Sequence, residues 1–320
     1  MNMKSNFIHA LETGNIEELR KVPKAEMHTH LWASGCRQYI FEKTGRRIKP
    51  LTHKLVGTHG MGSWAEEALG DCFDHYEGHK LLIEAAFVQA NNDGIVRLCM
   101  GENTDIIQRY YHSDINLFMT TLNIARNTYA PKTHLLPQVG FTRHKPVELQ
   151  YKQALPFFEQ NYFEAIDLFG DELATPIETF KPIYRKAKEK GMILRAHVGE
   201  KGTADDIMRA VEVLELDEVQ HGIAAASSKK IMNFLADNQI QLNICPTSNV
   251  LLGFVECLEK HPIRTLFDNS VKVTINTDDI LMFGSSVSQE FLSLYNCGLF
   301  TGEELNCIRE NGLNLGGIDE

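Results

Sequence analysis

Two histidines stand one residue apart in the stretch EMHTHLWASG, which runs from Glu26 to Gly35. In a β-strand, residues i and i+2 point to the same face, so His28 and His30 would lie side by side. Two imidazoles held close together suit the chelation of a metal ion. Alone, the pair is weak support for a metal site, because a histidine with a purely structural role is more common.

Three further segments carry histidines or carboxylates, which can also bind a metal. RAHVGE contains His197 and Glu200, VQHG contains His221, and INTDD contains Asp278 and Asp279. Each group stands at the end of a segment predicted to be a strand. Buried histidines and carboxylates are costly unless they are paired or bind a metal, and enzymes built on α/β barrels place their sites at the carboxyl ends of the strands. We therefore interpret these groups as parts of one site.

Three histidines and one aspartate would offer nitrogen and oxygen ligands to a metal. This set favours one zinc ion, although iron, cobalt and manganese accept the same ligand types. Zinc lowers the pKa of a bound water to ~7, which makes hydroxide available near neutral pH. Glu200, His221 and Asp279 would then remain for proton transfer and orientation.

Such a site requires a fold that brings strand ends together. Short apolar or alternating segments recur between longer helical patterns, which is typical of βαβ units. Eight strands are predicted, at 25–30, 94–100, 134–141, 162–169, 191–198, 217–222, 240–245 and 271–278. The predicted fold class is α/β, a (β/α)₈ TIM-type barrel, and a doubly wound open sheet is the alternative.

Two of the intervening helices carry recognisable signals. Thr203 and Asp206 form a capping-box pattern ahead of apolar residues at helical spacing. The segment 228–237 places Ile231, Phe234 and Leu235 on one helical face. Both segments are predicted to be helices between strands.

The segment from about 42 to 71 interrupts this alternation with glycines, a proline and little periodicity. Between the first and second strands of a barrel it would lie over the C-terminal face, where it would form a lid or substrate loop, or a surface excursion without function. Four histidines in and after it, at positions 53, 59, 75 and 79, are interpreted as solvated loop residues and not as a second metal site.

Composition narrows the class of protein further. The chain has 320 residues, 43% of them hydrophobic, and a formal charge of −10, which fits one domain over residues 1–320 and disfavours nucleic acid as a partner. Seven cysteines without CxxC spacing favour a reducing cytoplasm. The sequence contains no run of ~18 apolar residues, so no membrane segment is predicted. The sequence carries no signal for the oligomeric state.

Six segments of the chain occur together in one known family: PKAEMHTHL (23–31), IDLFGDE (166–172), HVGE (197–200), QHG (220–222), NICPTSNVLLG (243–253) and NTDD (276–279). In these segments, their order and their spacing, the chain resembles the adenosine deaminase branch of the metal-dependent amidohydrolases. HVGE stands where that family usually shows HAGE. The resemblance implies a zinc barrel that removes an amino group from a purine by hydrolysis.

The resemblance also implies a role for each site residue. The metal would be held by His28, His30, His197 and Asp278. Glu200 would protonate N1 of the purine as water adds to C6, and His221 would orient the attacking hydroxide, whose proton Asp278 would also accept. Asp279 would meet N7, and the backbone N–H of Gly170 would face N3.

One position departs from the family's pattern. After HTHL, adenosine deaminases usually show Asp-Gly, whose aspartate reaches the ribose 5′-hydroxyl, and adenine deaminases tend to have glutamate; this chain has Trp32 and Ala33. An indole stacks, fills space and donates one N–H, but it accepts no hydrogen bond as a carboxylate does. Trp32 is therefore either a substrate-stacking residue or a packing residue beneath a loop, and plain adenosine is disfavoured as the substrate.

The expected function is that of a zinc-dependent deaminase of a 6-aminopurine nucleoside or a related small molecule, releasing ammonia and an inosine-like product. Alternatives within the family are adenine, an N6-substituted purine or a 5′-modified nucleoside as substrate. An alternative of another class is a catalytically silent purine-binding sensor. The presence of Glu200, His221 and Asp279 disfavours the sensor, because a pure binder has little use for proton-transfer groups.

Overall fold

A barrel of eight parallel strands forms the centre of the molecule in the computed structural model, which describes residues 3–313. The strands are β1 (Lys24–His30), β2 (Ile95–Asn103), β3 (His134–Thr142), β4 (Ala165–Phe169), β5 (Ile193–Val198), β6 (Glu218–His221), β7 (Gln241–Ile244) and β8 (Val273–Ile275). They pair in chain order, each parallel to the next. β3 is buried from Leu135 to Thr142, as expected for a parallel strand covered on both faces.

The barrel closes between β1 and the residues that follow β8. The N–H of Met27 donates to Asn276 Oδ1 at 2.7 Å. The N–H groups of His30 and Asp278 donate to the carbonyls of Asp278 and His28 at 3.2 and 3.0 Å. This contact excludes the open sheet and confirms the predicted (β/α)₈ barrel.

Helices cover the outside of the barrel and extend over its ends. They are α1 (Met3–Glu12), α2 (Ile16–Lys21), α3 (Arg37–Thr44), α4 (Met61–Ala68), α5 (Tyr76–Asn92), α6 (Thr104–Tyr111), α7 (Ile115–Tyr129), α8 (Val147–Glu159), α9 (Lys181–Glu189), α10 (Ala204–Leu214), α11 (Lys229–Asp237), α12 (Pro246–Leu251), α13 (Ile263–Asp268), α14 (Ile280–Phe283), α15 (Val287–Asn296) and α16 (Gly302–Leu313). The capping box of Thr203 and Asp206 begins α10, and the side chain of Ser228 caps α11. Both helix predictions are confirmed.

All eight predicted strands are present, with shifted ends. β4 begins at Ala165 and not at 162, and β2 continues to Asn103. β8 ends at Ile275 and not at 278, because Asp278 has a φ of 61°, a left-handed conformation that a strand does not contain.

The segment 42–71 comprises the end of α3, helix α4 and irregular chain between them. Two of its backbone N–H groups, those of Leu55 and Gly57, donate to the carbonyls of Leu251 and Leu252 at 2.7 and 2.8 Å. These bonds attach the segment to the loop after β7, at the C-terminal end of the barrel. Its role as a lid or substrate loop remains a prediction.

The interpretation of four solvated loop histidines is wrong for His79. Positions 53, 59 and 75 are exposed, but His79 is buried in α5. Its Nε2 lies 2.8 Å from Glu102 Oε2 and its Nδ1 lies 2.9 Å from the hydroxyl of Tyr111. His79 therefore joins α5 to β2 and α6, because it falls on the inner face of its helix.

Candidate metal centre and active site

Four side chains from three strand ends converge at the C-terminal end of the barrel: His28, His30, His197 and Asp278. His28 Nε2 lies 3.0 Å from His197 Nε2, and Asp278 Oδ1 lies 3.5 Å from His28 Nε2 and 3.3 Å from His30 Nε2. Tetrahedral zinc ligands at ~2.0–2.2 Å from the ion would lie roughly 3.3–3.6 Å from one another. The spacing and the donor types therefore fit one ion of the zinc type.

The remaining ring nitrogens orient two of these imidazoles. His28 Nδ1 lies 3.2 Å from the carbonyl oxygen of Asn243, and His197 Nδ1 lies 3.2 Å from the carboxylate of Asp167. Each imidazole that donates from Nδ1 presents the lone pair of Nε2 to the centre, as metal-binding histidines do. The two side chains are thus held in the form that binds a metal.

Asp167 is a site residue that the sequence reasoning missed. It lies fully buried in β4; burial opposes its ionisation, but the charge and hydrogen bond of His197 hold the pKa of Asp167 below its usual value. The signal was present, because a buried aspartate within the apolar run AIDLF is costly without a partner.

Barrel closure fixes the position of Asp278. Its backbone N–H and carbonyl both bond to β1, and the hydroxyl of Ser248 donates to Asp278 Oδ2 at 2.6 Å. Asp278 and His221 have φ values of 61°, a conformation that is costly for residues other than glycine. The surrounding bonds offset this cost and hold both side chains at the centre.

Cys245 also lies near the metal ligands, with its Sγ 3.4 Å from His28 Nδ1. Burial, with repulsion from Asp278, raises the pKa of Cys245 well above its usual value. A protonated thiol is a poor ligand, since the thiolate is the form that binds metals. Cys245 therefore packs as a small apolar residue.

Glu200 and His221 form a pair beside the metal ligands. His221 Nδ1 lies 3.5 Å from Glu200 Oε1, and its Nε2 lies 3.9 Å from Asp278 Oδ2. Burial, with repulsion from Asp278, raises the pKa of Glu200 well above its usual value, and burial lowers the pKa of His221 to about 3. Glu200 is thus kept protonated and His221 neutral.

The pKa of Asp278 is shifted in the direction opposite to that of Glu200. Burial opposes its ionisation, but the hydrogen bond to His30 and the charges of neighbouring histidines hold the pKa of Asp278 well below its usual value. Two carboxyl groups of opposite protonation therefore face one space, which is the arrangement that acid–base catalysis requires.

Asn249, in the motif CPTSN, is a second residue that the sequence reasoning missed. Its Nδ2 donates to Glu200 Oε1 at 2.9 Å, and its Oδ1 lies 3.3 Å from His261 Nε2. The N–H of Ile263 donates to His261 Nδ1, so His261 donates from Nε2 and fixes the orientation of the amide. Asn249 thereby holds one oxygen of Glu200 and leaves the other for a substrate.

A cavity of about 600 Å³ opens beside these groups, and it is lined by eight of the predicted site residues: His30, Trp32, Gly170, His197, Glu200, His221, Asp278 and Asp279. His28 is only 1% exposed and lies behind the others. The fold therefore brings all nine predicted residues to one place.

Asp279 and Gly170 occupy positions suited to substrate contact. The Oδ1 of Asp279 is buried without a hydrogen-bond partner, and burial with repulsion from Asp278 raises the pKa of this carboxyl well above its usual value. Gly170 has a φ of 93°, and a Cβ there would lie 2.9 Å from the ring of His144. Only glycine fits this left-handed, closely packed position at the cavity wall.

Trp32 has features of a packing residue and of a substrate-stacking residue, the two interpretations offered from the sequence. It lies half-buried in a 3₁₀ helix (Leu31–Ala33), with its ring edge-on to Trp64 at 6.5 Å between centroids. It also lines the cavity. Packing against Trp64 therefore leaves part of its surface available to a substrate.

A (β/α)₈ barrel with this cluster defines a metal-dependent hydrolase of the amidohydrolase class. Residues 112–320 match the family model described as adenosine deaminase, and the chain belongs to the adenosine deaminase family. It is accordingly a metal-dependent deaminase, and hydrolytic deamination of a purine is the reaction that family and site support.

Comparisons with individual proteins agree with this assignment. A Treponema pallidum protein, provisionally named adenosine/adenine deaminase, is 33% identical over 292 residues, covering 90% of this chain and 96% of its own length. Adenine deaminase from Arthrobacter aurescens shares the fold with a TM-score of 0.78 at 21% identity, over 93% of this chain and 94% of that one. A zinc-bound amidohydrolase from Burkholderia ambifaria has a TM-score of 0.79 at 18% identity, over 94% and 87% of the two chains.

None of the helices between residues 3 and 313 is long and apolar enough to cross a membrane.

Proposed function

We propose that the protein is a zinc-dependent deaminase of a 6-aminopurine compound, with Glu200 as the general acid. The observation that carries the proposal is the position of Glu200 beside a set of three histidines and one aspartate, at the wall of a cavity that would admit a purine. Burial raises the pKa of Glu200, as a general acid requires. The names of the relatives, which include adenine and adenosine/adenine deaminases, support a purine substrate.

His28, His30, His197 and Asp278 would hold the zinc ion. Zinc bound there supplies hydroxide near neutral pH by lowering the pKa of water to ~7. His221, neutral and 3.9 Å from Asp278, is placed to orient the attacking water and support the developing charge.

Glu200 donates its proton to N1 of the ring, which makes C6 more electrophilic. Asp279, which burial keeps protonated, donates to N7, and Gly170 borders the ring at N3. The oxygen of the attacking water bonds to C6, one proton of that water passes to the amino group, and the C6–N bond breaks to release ammonia. The other water proton returns to Glu200, which leaves a 6-oxopurine that keeps its proton at N1. Each step places the proton on a residue whose pKa suits it.

The test is a panel of compounds assayed for the released amine with the zinc-loaded protein, together with measurement of the bound metal. The panel contains adenine, adenosine, an N6-methylated purine nucleoside and cytidine; the N6-methylated compound would release methylamine and the others ammonia. We expect one zinc ion per chain and amine release from at least one of the purines, with none from cytidine. Tight purine binding without release of either amine would overturn the proposal and favour a binding protein.

Glu66→Gln is a matched control for any substitution at Glu200. Glu66 is an exposed glutamate on α4 and is not among the residues that line the cavity. Its substitution should leave ammonia release unchanged.

A further inference from the structure

The mouth of the cavity has an apolar wall, made by Trp32, Met61 and Leu252, which we call the mouth wall. These side chains belong to a cluster with Leu51, Leu55, Trp64, Leu251, Phe254, Met282 and Phe283. The wall thus joins the 3₁₀ helix after β1, helix α4, and the loops after β7 and β8.

The mouth wall is a built surface and not a solvated loop. Leu51, Leu55 and Gly57 donate backbone hydrogen bonds of 2.7–2.8 Å to the loops after β7 and β8. The indole N–H of Trp64 donates to the carbonyl of Lys49 at 3.1 Å, which fixes the ring behind the wall. A preformed apolar wall contributes to binding when it removes apolar ligand surface from water.

An anionic substrate would need cationic partners in the cavity. Among the residues that the structure describes, neither lysine nor arginine lines the cavity. Lys201, at its edge, is paired with Asp171 at 2.9 Å, and His144 Nε2 accepts the N–H of Asp171 at 3.1 Å. A phosphate here would find none of the paired cations that phosphate sites provide.

The size of the cavity indicates a substrate larger than a bare base. Its volume of about 600 Å³ is in the range of pockets that hold drug-sized ligands, so a purine ring alone would leave much of it to water. If C6 faces the metal ligands, any substituent at N9 extends away from them, toward the mouth wall.

We propose that the substrate is an uncharged 6-aminopurine nucleoside with an apolar group at the 5′ position, such as a 5′-deoxy or 5′-alkylthio nucleoside. The apolar group packs against Trp32, Met61 and Leu252, and the described lining supplies no lysine or arginine to hold a 5′-phosphate. This inference rests on the proposed deaminase function and specifies its substrate class.

The experiment compares kcat/KM for ammonia release from 5′-methylthioadenosine, 5′-deoxyadenosine, adenosine, adenine and AMP. With the zinc-loaded full chain, we expect the two 5′-apolar nucleosides to lead, with at least a tenfold advantage over AMP. Preference for AMP or adenine would overturn this inference and leave the deaminase function standing. Ammonia from none of the five compounds would overturn both proposals.

Met61→Lys tests the wall itself. Met61 is half-buried, so the lysine amine can reach the cavity opening while its stem packs. We expect the ratio of kcat/KM for 5′-methylthioadenosine to that for AMP to fall at least tenfold, and Met61→Leu to retain it. Val56→Lys, in the same segment but 87% exposed, is the matched control and should leave the ratio unchanged. An unchanged ratio in a folded Met61→Lys protein would remove the wall from substrate selection.

Discussion

The metal end and the mouth of the cavity are built by different interactions. At the metal end, polar side chains project from strand ends, and Asp167, Asn243, Ser248 and Asn249 bond the residues that bind metal or carry protons. At the mouth, apolar side chains from an inserted segment and loops pack against one another. Directional bonds tolerate little change, whereas apolar packing tolerates substitutions of similar volume. From this difference we expect substitutions at the metal end to change catalysis and substitutions at the mouth to change the choice of substrate.

The largest expected effect is at a metal ligand. His197→Ala removes one of four ligands, so metal content should fall and turnover should become undetectable, because the ion contributes several kcal/mol to catalysis. Metal analysis and ammonia release measure both effects. His59→Ala, which removes an exposed histidine, is the control. A His197→Ala protein that kept metal and activity would refute the site assignment.

Glu200→Gln should separate proton transfer from metal binding. We expect full metal content and a loss of ~10²–10⁴-fold in kcat, the usual contribution of a positioned acid. Because Glu200 must carry its proton to act, kcat/KM of the unmodified protein should fall as pH rises through the raised pKa of Glu200. That alkaline decline should be absent from Glu200→Gln. Activity within tenfold of the original would exclude Glu200 as the acid.

Asp167→Asn should have an intermediate effect, since it keeps all four ligands but weakens the support of His197. We expect a ~10–100-fold loss of metal affinity, with activity recovering in excess zinc. Competition with a chelator measures the affinity. Asp237→Asn, at an exposed helix end, should change nothing. Equal affinity in Asp167→Asn would assign Asp167 a purely structural role.

The smallest effect is expected at the mouth. Trp32→Asp restores the carboxylate that the family usually shows there, so kcat/KM for adenosine relative to a 5′-deoxy nucleoside should rise about tenfold. Metal content should not change. Trp32→Phe keeps an aromatic ring without a carboxylate and should retain the original preference. A loss of metal in Trp32→Asp would show that the two ends of the cavity are not independent.

Much of the fold was predictable from local sequence patterns. Eight strands appeared in the expected order, and the caps at Thr203 and Ser228 began helices where their residue types indicated. Strand ends were less predictable, because the positive φ of Asp278 depends on bonds to β1 that no local pattern contains. His79 was misjudged because it was grouped with the irregular segment before it, although it lies on the buried face of α5.

In the site, too, some residues were recognisable from the sequence and others were not. The candidate ligands and Glu200 were predicted because rare residue types recurred at predicted strand ends, and the structure brings these residues together. Asp167 and Asn249 were missed because their importance comes from their partners, His197 and Glu200, which lie elsewhere in the chain. The segment 42–71 was recognised as irregular, but only its hydrogen bonds revealed which loops it contacts.

The sequence by itself determined the alternation of strands and helices, the shared face of His28 and His30, and the set of residues available for a metal. These properties are local, since strand geometry and side-chain chemistry depend on neighbouring residues. Tertiary structure alone decided that Asp278 meets His28 across the barrel closure, that burial raises the pKa of Glu200, and that an apolar wall borders the same cavity as the candidate metal ligands. Each of these depends on groups distant in the chain, because burial and electrostatic interaction are set by what surrounds a side chain in space.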